Sequence, residues 1–123
     1  MPTRKPTDAE LAILTVLWSR GPSTVRQVAA AMDREGGYTT VLKLLQIMAE
    51  KGLVTRDESA RTHIYAPAYT EDQTQRQLVM DLAERAFDGS AAKLVLQALA
   101  SKKATPEELD EIRKLLNTRG GSR

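Results

Sequence analysis

Residues 38–52 read Tyr38-Thr39-Thr40-Val41-Leu42-Lys43-Leu44-Leu45-Gln46-Ile47-Met48-Ala49-Glu50-Lys51-Gly52, and they carry two helical faces of different character. Val41, Leu44, Leu45 and Met48 recur at the i, i+3, i+4, i+7 spacing of a buried stripe. Another face holds Thr39, Thr40, Lys43 and Gln46: short hydroxyls, one cation and an amide, gathered toward the N-terminal half. Hydroxyls and helix N-terminal amides contact phosphates, while Lys and Gln reach base edges in a major groove wide enough to admit a helix. The plain alternative is the solvated face of an ordinary helix, so the neighbouring stretches decide.

Upstream, residues 1–6 form a polar tail with Arg4 and Lys5 between Pro2 and Pro6. Thr7 with Glu10 three residues on is a capping box that opens a first helix. Its inner face is expected from Leu11, Leu14 and Trp18 with Leu17 beside them, and Gly21-Pro22 stops it. Ser23 is expected to cap a second helix in which Val25, Val28, Ala29 and Met32 repeat the buried spacing, with Arg26, Gln27 and Asp33 outward. Gly36-Gly37 breaks the chain again. Three short amphipathic helices, the last with a polar outer face, make the helix-turn-helix pattern.

Downstream of Gly52 the period changes. Leu53-Val54-Thr55-Arg56 and Thr62-His63-Ile64-Tyr65 are β-prone runs joined by the polar connector Asp57-Glu58-Ser59-Ala60-Arg61, which reads as a hairpin closed by Pro67. A strand pair after a recognition helix is a wing, from which Arg61 can reach a phosphate or the minor groove, or simply solubilise the turn. His63 is the sole histidine and has no second His or Cys to form a metal site, so it is expected to be packed or half-exposed. From Thr70, which forms a second capping box with Gln73, the chain turns helical again. Leu78, Leu82 and Ala86 adjoin Val79, Ala83 and Phe87; after the break at Asp88-Gly89-Ser90, Ala91, Leu94, Val95, Ala98 and Leu99 are expected to be buried. Thr105-Pro106-Glu107-Glu108 starts a last helix carrying Leu109, Ile112, Leu115 and Leu116, and residues 119–123 are expected to fray. So many apolar residues in about fifty cannot form a self-sufficient core, and the surplus face calls for a second copy of the chain.

The composition narrows the function further. With 123 residues and a net charge of +2, the chain lacks the strongly basic balance that by itself marks nucleic-acid binders. What positive excess there is falls before Tyr69, on the helix-turn-helix and wing. The absence of cysteine removes thiol catalysis, disulfides and thiolate metal sites. One strand histidine and scattered acids offer no nucleophile–base pair, so neither an enzyme nor a cofactor is expected. No apolar run approaches the roughly 20 residues of a membrane span, and no signal core follows the start. A cytoplasmic protein without membrane insertion is the expectation. A winged helix can also be a protein-binding module whose outer face meets a polypeptide, and that alternative stands beside DNA binding.

Over nearly its full length the chain resembles the penicillinase-repressor (BlaI/MecI) family of bacterial transcriptional regulators. The resemblance rests on Thr7-Asp8-Ala9-Glu10-Leu11, Val16-Leu17-Trp18, Gly21-Pro22-Ser23-Thr24-Val25, Tyr38-Thr39-Thr40-Val41, Lys51-Gly52-Leu53-Val54 and His63-Ile64-Tyr65. It implies a mainly helical fold, with a winged helix-turn-helix in residues 1–69 and a helical dimerisation region in residues 70–123. It further implies a homodimer that represses transcription from an inverted-repeat operator in double-stranded DNA, controlling a resistance or stress operon. Carried onto this sequence, the DNA contacts fall on Thr24, Thr39, Thr40, Lys43, Gln46 and Arg61. Leu78, Leu82, Phe87, Leu94, Val95, Leu99, Leu109, Ile112 and Leu116 are the candidate dimer contacts.

The chain departs from its relatives at three points. Several of them carry a basic residue where this chain has Ile47, which bears on the operator sequence. Antibiotic-responsive members are inactivated when a membrane sensor-protease system leads to cleavage of an Asn-Phe bond in the dimerisation region. Here the matching stretch Leu94-Val95-Leu96-Gln97-Ala98 has Gln97-Ala98 instead, so that cut is not expected to occur in the same way. Copper-responsive relatives use C-terminal cysteines, and copper release is not expected in a chain without them.

Overall fold

Helix α1 (Asp8–Arg20) begins at the capping box anticipated at Thr7: the Thr7 hydroxyl accepts the Glu10 amide at 3.2 Å and the Glu10 carboxylate accepts the Thr7 amide at 2.8 Å. In this computed structural model, which describes residues 5–32 and 37–120, α1 ends at Gly21. Gly21 has φ +93, a left-handed value that favours glycine, and its amide donates to the Leu17 carbonyl.

Helices α2 (Val25–Met32) and α3 (Gly37–Lys51) pack on α1, and strands β1 (Val54–Asp57) and β2 (Ile64–Pro67) pair antiparallel beside them. The core joins Ile13, Leu14 and Leu17 of α1, Val25 and Val28 of α2, and Val41, Leu45 and Met48 of α3 to Leu53, Val54 and Tyr65. Leu11, Trp18, Ala29, Met32 and Leu44 are partly buried around it. The stripe read in α3 is therefore the docking face, while in α1 the inner face has rotated to include Ile13, which is fully buried and was not anticipated. Trp18 sits at the margin because its indole N–H needs an acceptor, which it finds in the Tyr69 carbonyl at 3.0 Å.

Two local readings are corrected. Thr24, not Ser23, caps α2: its hydroxyl accepts the Gln27 amide while the Gln27 side chain accepts the Thr24 amide, a second reciprocal box. Ser23 is buried and exchanges backbone hydrogen bonds with Tyr65 at 2.8 and 2.9 Å, which adds a third segment to the hairpin's edge. The hairpin itself lies later than expected, with Val54 opposite Pro67 and Asp57 opposite Ile64, so residues 58–63 form its connection. Leu53 belongs to the core ahead of the strand because the turn at Gly52, φ +82, delivers its amide to the Met48 carbonyl. Asp33 and Gly36, assigned above to an outer face and a break, lie outside the described residues.

Contacts divide the chain into two compact units, one within residues 1–79 and one within 80–123. The division falls inside helix α4 (Glu71–Ala86), which starts at the anticipated Thr70–Gln73 box. Helices α5 (Ala91–Ser101) and α6 (Pro106–Gly120) follow, capped by Ser90 and by a Thr105–Glu108 box. Helix α6 continues through Gly120, beyond the expected onset of fraying. Burial in the second unit corrects the sequence reading: no residue of α5 is buried within one chain. Among the described residues from 80 onward, Ala83 alone is buried, and Val95, Leu96, Leu99, Leu115 and Leu116 are exposed.

Candidate nucleic-acid interface

The orientation of α3 follows from its anchoring. Val41, Leu45 and Met48 are inserted in the core, so a helix of 3.6 residues per turn must turn Thr39, Lys43 and Gln46 to the opposite side, and all three are exposed. Thr40 is also exposed but lies a quarter turn away, beside a small hollow lined by Ala29, Met32 and Leu44. Gln46 shares a shallow depression with Glu50 and Arg56, and Ile47 stands exposed on the flank of the helix. Thr39, Lys43 and Gln46 thus form one stripe, and Thr40 borders it rather than belonging to it.

The C-terminal end of α3 is tied down from outside the helix. Lys51 Nζ donates to both Glu10 oxygens, at 2.8 and 3.0 Å, and Glu10 is only 2% exposed. Burial pushes the Glu10 carboxyl up, but hydrogen bonds from Lys51 and Thr7, with the Lys51 charge, outweigh it and hold the carboxyl below its ordinary range. Sequence reading found half of this arrangement, the cap, because a capping box is local; the partner forty-one residues away left no local signal.

On the wing, the two acids of the connector are engaged. Glu58 pairs with Arg56 at 2.7 Å, and Asp57 accepts the Ser59 amide at 2.9 Å. The Ser59 hydroxyl and then its amide hold the Asp57 carboxyl below its usual range. The Tyr65 hydroxyl, and after it the Glu58 carboxylate, keep the Arg56 guanidinium protonated beyond its ordinary range. Among the described residues Lys43 and Arg61 have no carboxylate partner, so both present free positive charge.

Arg61 and Thr24 meet in a cleft of about 260 Å3 between the start of α2, the start of α3 and the wing. Arg26, Tyr38, Thr62 and His63 line it with them. The Arg26 guanidinium lies over the Tyr38 ring, 5.6 Å from its centre, a cation–π contact that links α2 to α3. His63 is exposed rather than packed, and no group of three or more His, Cys, Asp or Glu residues that could hold a metal occurs among the described residues. Sequence reasoning placed Arg26 outward and left Tyr38 and His63 without a role; only the folded hairpin brings them together. The nine apolar candidates of α4 to α6 divide into the half-buried Leu78, Phe87, Leu94, Leu109 and Ile112 and the exposed Leu82, Val95, Leu99 and Leu116. No helix among the described residues is long and apolar enough to cross a membrane.

Comparison with known proteins agrees with this geometry. The model of the penicillinase repressor family matches residues 6–118. The chain is 36% identical over 112 residues to the transcriptional regulator BlaI of Mycobacterium tuberculosis, covering 89% of this chain and 80% of that protein. It is 22% identical over 111 residues to the penicillinase repressor of Bacillus licheniformis, with 89% and 87% covered. Among solved structures, the YusO protein from Bacillus subtilis superposes with a TM-score of 0.51 at 17% identity, over 96% of this chain and 77% of that one, a likeness of fold alone. The resemblance read from the sequence is borne out, and the chain belongs to the penicillinase repressor family of winged-helix transcriptional repressors.

Proposed function

We propose that the protein works as a homodimer in which each winged helix reads one half of an inverted-repeat operator in double-stranded DNA. The observation that carries this reading is the stance of α3, which seats one face in the core and presents Thr39, Lys43 and Gln46 together on the other. Lys43 and Gln46 reach base edges in the major groove; Thr39, Thr40 and Thr24 meet phosphates near the helix starts; Arg61 reaches the backbone or the minor groove from the wing. Ile47 adds exposed apolar surface that fits a thymine methyl group.

Residues 1–69 read DNA and residues 70–123 join the copies. The exposed apolar side chains of α4 to α6, Leu82, Val95, Leu99 and Leu116 among them, lose their contact with water against the same surface of a second chain. Joining two weak readers makes the second binding step nearly intramolecular, so dimerisation is part of operator affinity. The regulated unit is a resistance or stress operon, with a membrane sensor-protease system upstream. Gln97 and Ala98 lie inside α5, so cleavage there requires that helix to unwind first.

The test is a gel shift of the purified protein on its own promoter at two salt concentrations with scrambled competitor. A salt-sensitive shift that survives competitor supports the operator reading, because phosphate contacts release counterions. Binding that ignores salt, or that is shown only toward a polypeptide, sinks it in favour of a protein-interaction module.

A further inference from the structure

We infer that the cleft between α2, α3 and the wing is a clamp for one backbone phosphate of duplex DNA. Arg26 and Arg61 supply its charge, and Thr24, Thr62 and His63 line it beside them. The inference rests on the DNA-binding reading above but adds Arg26 to it in a separate role. The stripe on α3 distinguishes sequences, whereas the clamp grips any duplex.

Three observations meet at this place. The cleft is lined by cations and hydroxyls from three separate elements, and no carboxylate lines it among the described residues. Charge of one sign drawn from separate segments into one concavity is a surface shaped for an anion. Arg26 is also preset, because its guanidinium already lies over the Tyr38 ring and so loses less freedom when it meets a phosphate. The two acids of the connector are occupied elsewhere: Asp57 is held by Ser59, and Glu58 is paired with Arg56.

The experiment measures binding of a mixed-sequence duplex by fluorescence anisotropy as salt is varied, for the full chain and for Arg26→Gln. The Arg26 side chain is exposed, and urea unfolding verifies that the variant folds. Each phosphate contact contributes about 0.9 to the slope of log affinity against log salt. Arg26→Gln is expected to lower that slope by about 0.9, so its affinity falls roughly 3.5-fold less than that of the parent between about 50 and about 200 mM salt. If the parent binds with a steep salt dependence that Arg26→Gln leaves unaltered, the clamp is wrong while DNA binding stands. If the parent shows no salt-dependent binding at all, both readings fall together.

Discussion

Lys51, the last residue of α3, is hydrogen-bonded to both carboxylate oxygens of Glu10 in the first turn of α1, at 2.8 and 3.0 Å. The same carboxylate closes the capping box at Thr7, so one buried acid fixes the start of one helix and the end of another. The angle of α3 decides where its exposed stripe, Thr39, Lys43 and Gln46, stands. The pair holds the C-terminal end of α3 while Val41, Leu45 and Met48 hold its flank.

Glu10→Gln keeps a side chain that can still cap Thr7 but removes the charge opposite Lys51. It is expected to destabilise the protein by about 1 to 3 kcal/mol at pH 7, the range for a charge-assisted hydrogen bond lost from a buried site. Because the folded carboxyl lies below its ordinary value, the stability it contributes is fully present above the unfolded pKa, about 4.3, and is lost as pH falls through the folded one. Urea midpoints from pH 7 down to pH 3 should converge for the two proteins at the acid end; parallel curves would show that the ion pair contributes nothing.

Thr24→Ala removes the box that caps α2 and is expected to cost about 1 kcal/mol of stability, with Thr24→Ser restoring most of it. Equal urea midpoints for Thr24→Ala and the parent would show that the cap is dispensable.

Lys43→Ala tests the outward stripe of α3. Loss of a base contact is expected to weaken operator binding by roughly 1 to 3 kcal/mol with little change on scrambled DNA, whereas loss of a phosphate contact weakens both alike. A variant that binds both duplexes as the parent does removes Lys43 from the interface.

Leu99→Glu places a charge on the exposed apolar face of α5, far in sequence from the core of α1 to α3. Sedimentation is expected to show a shift from dimer to monomer, with operator affinity reduced by orders of magnitude. A variant that remains dimeric would move the interface away from this face.

The elements whose signals are local were legible in the sequence. Reciprocal boxes at Thr7, Thr70 and Thr105 begin the helices they were read to begin, and the stripe on α3 lies against the core as its spacing requires. Ser23 misled because a serine before a helix reads as a cap, yet its backbone is committed to Tyr65, leaving Thr24 to close the helix. The burial expected of Ala91, Leu94 and Val95 was a statement about apolar periodicity, which records that a face avoids water but not which chain covers it. Arg26 on Tyr38, and Lys51 on Glu10, were illegible for one reason: each joins two elements across a distance that only the finished fold fixes.

The bond between Ser23 and Tyr65 has a consequence for the order in which the domain assembles. Two backbone hydrogen bonds join the entry of α2 to β2, across an interval that contains all of α2, α3 and β1. Closing so long an interval is entropically slow, so the edge forms late, after the three helices have already condensed around Leu17, Val28 and Leu45. Once formed, it leaves β2 bonded on both sides, to β1 and to Ser23, so that the base of the wing unfolds with the helices or not at all. Amide protons at Ser23 and Tyr65 should then exchange with solvent together, at the rate of global opening, and far more slowly than the Ser59 amide, whose one bond is to the exposed Asp57. The base of the wing thus shares the durability of the core, and its tip is held only by exposed contacts, Asp57 with Ser59 and Arg56 with Glu58.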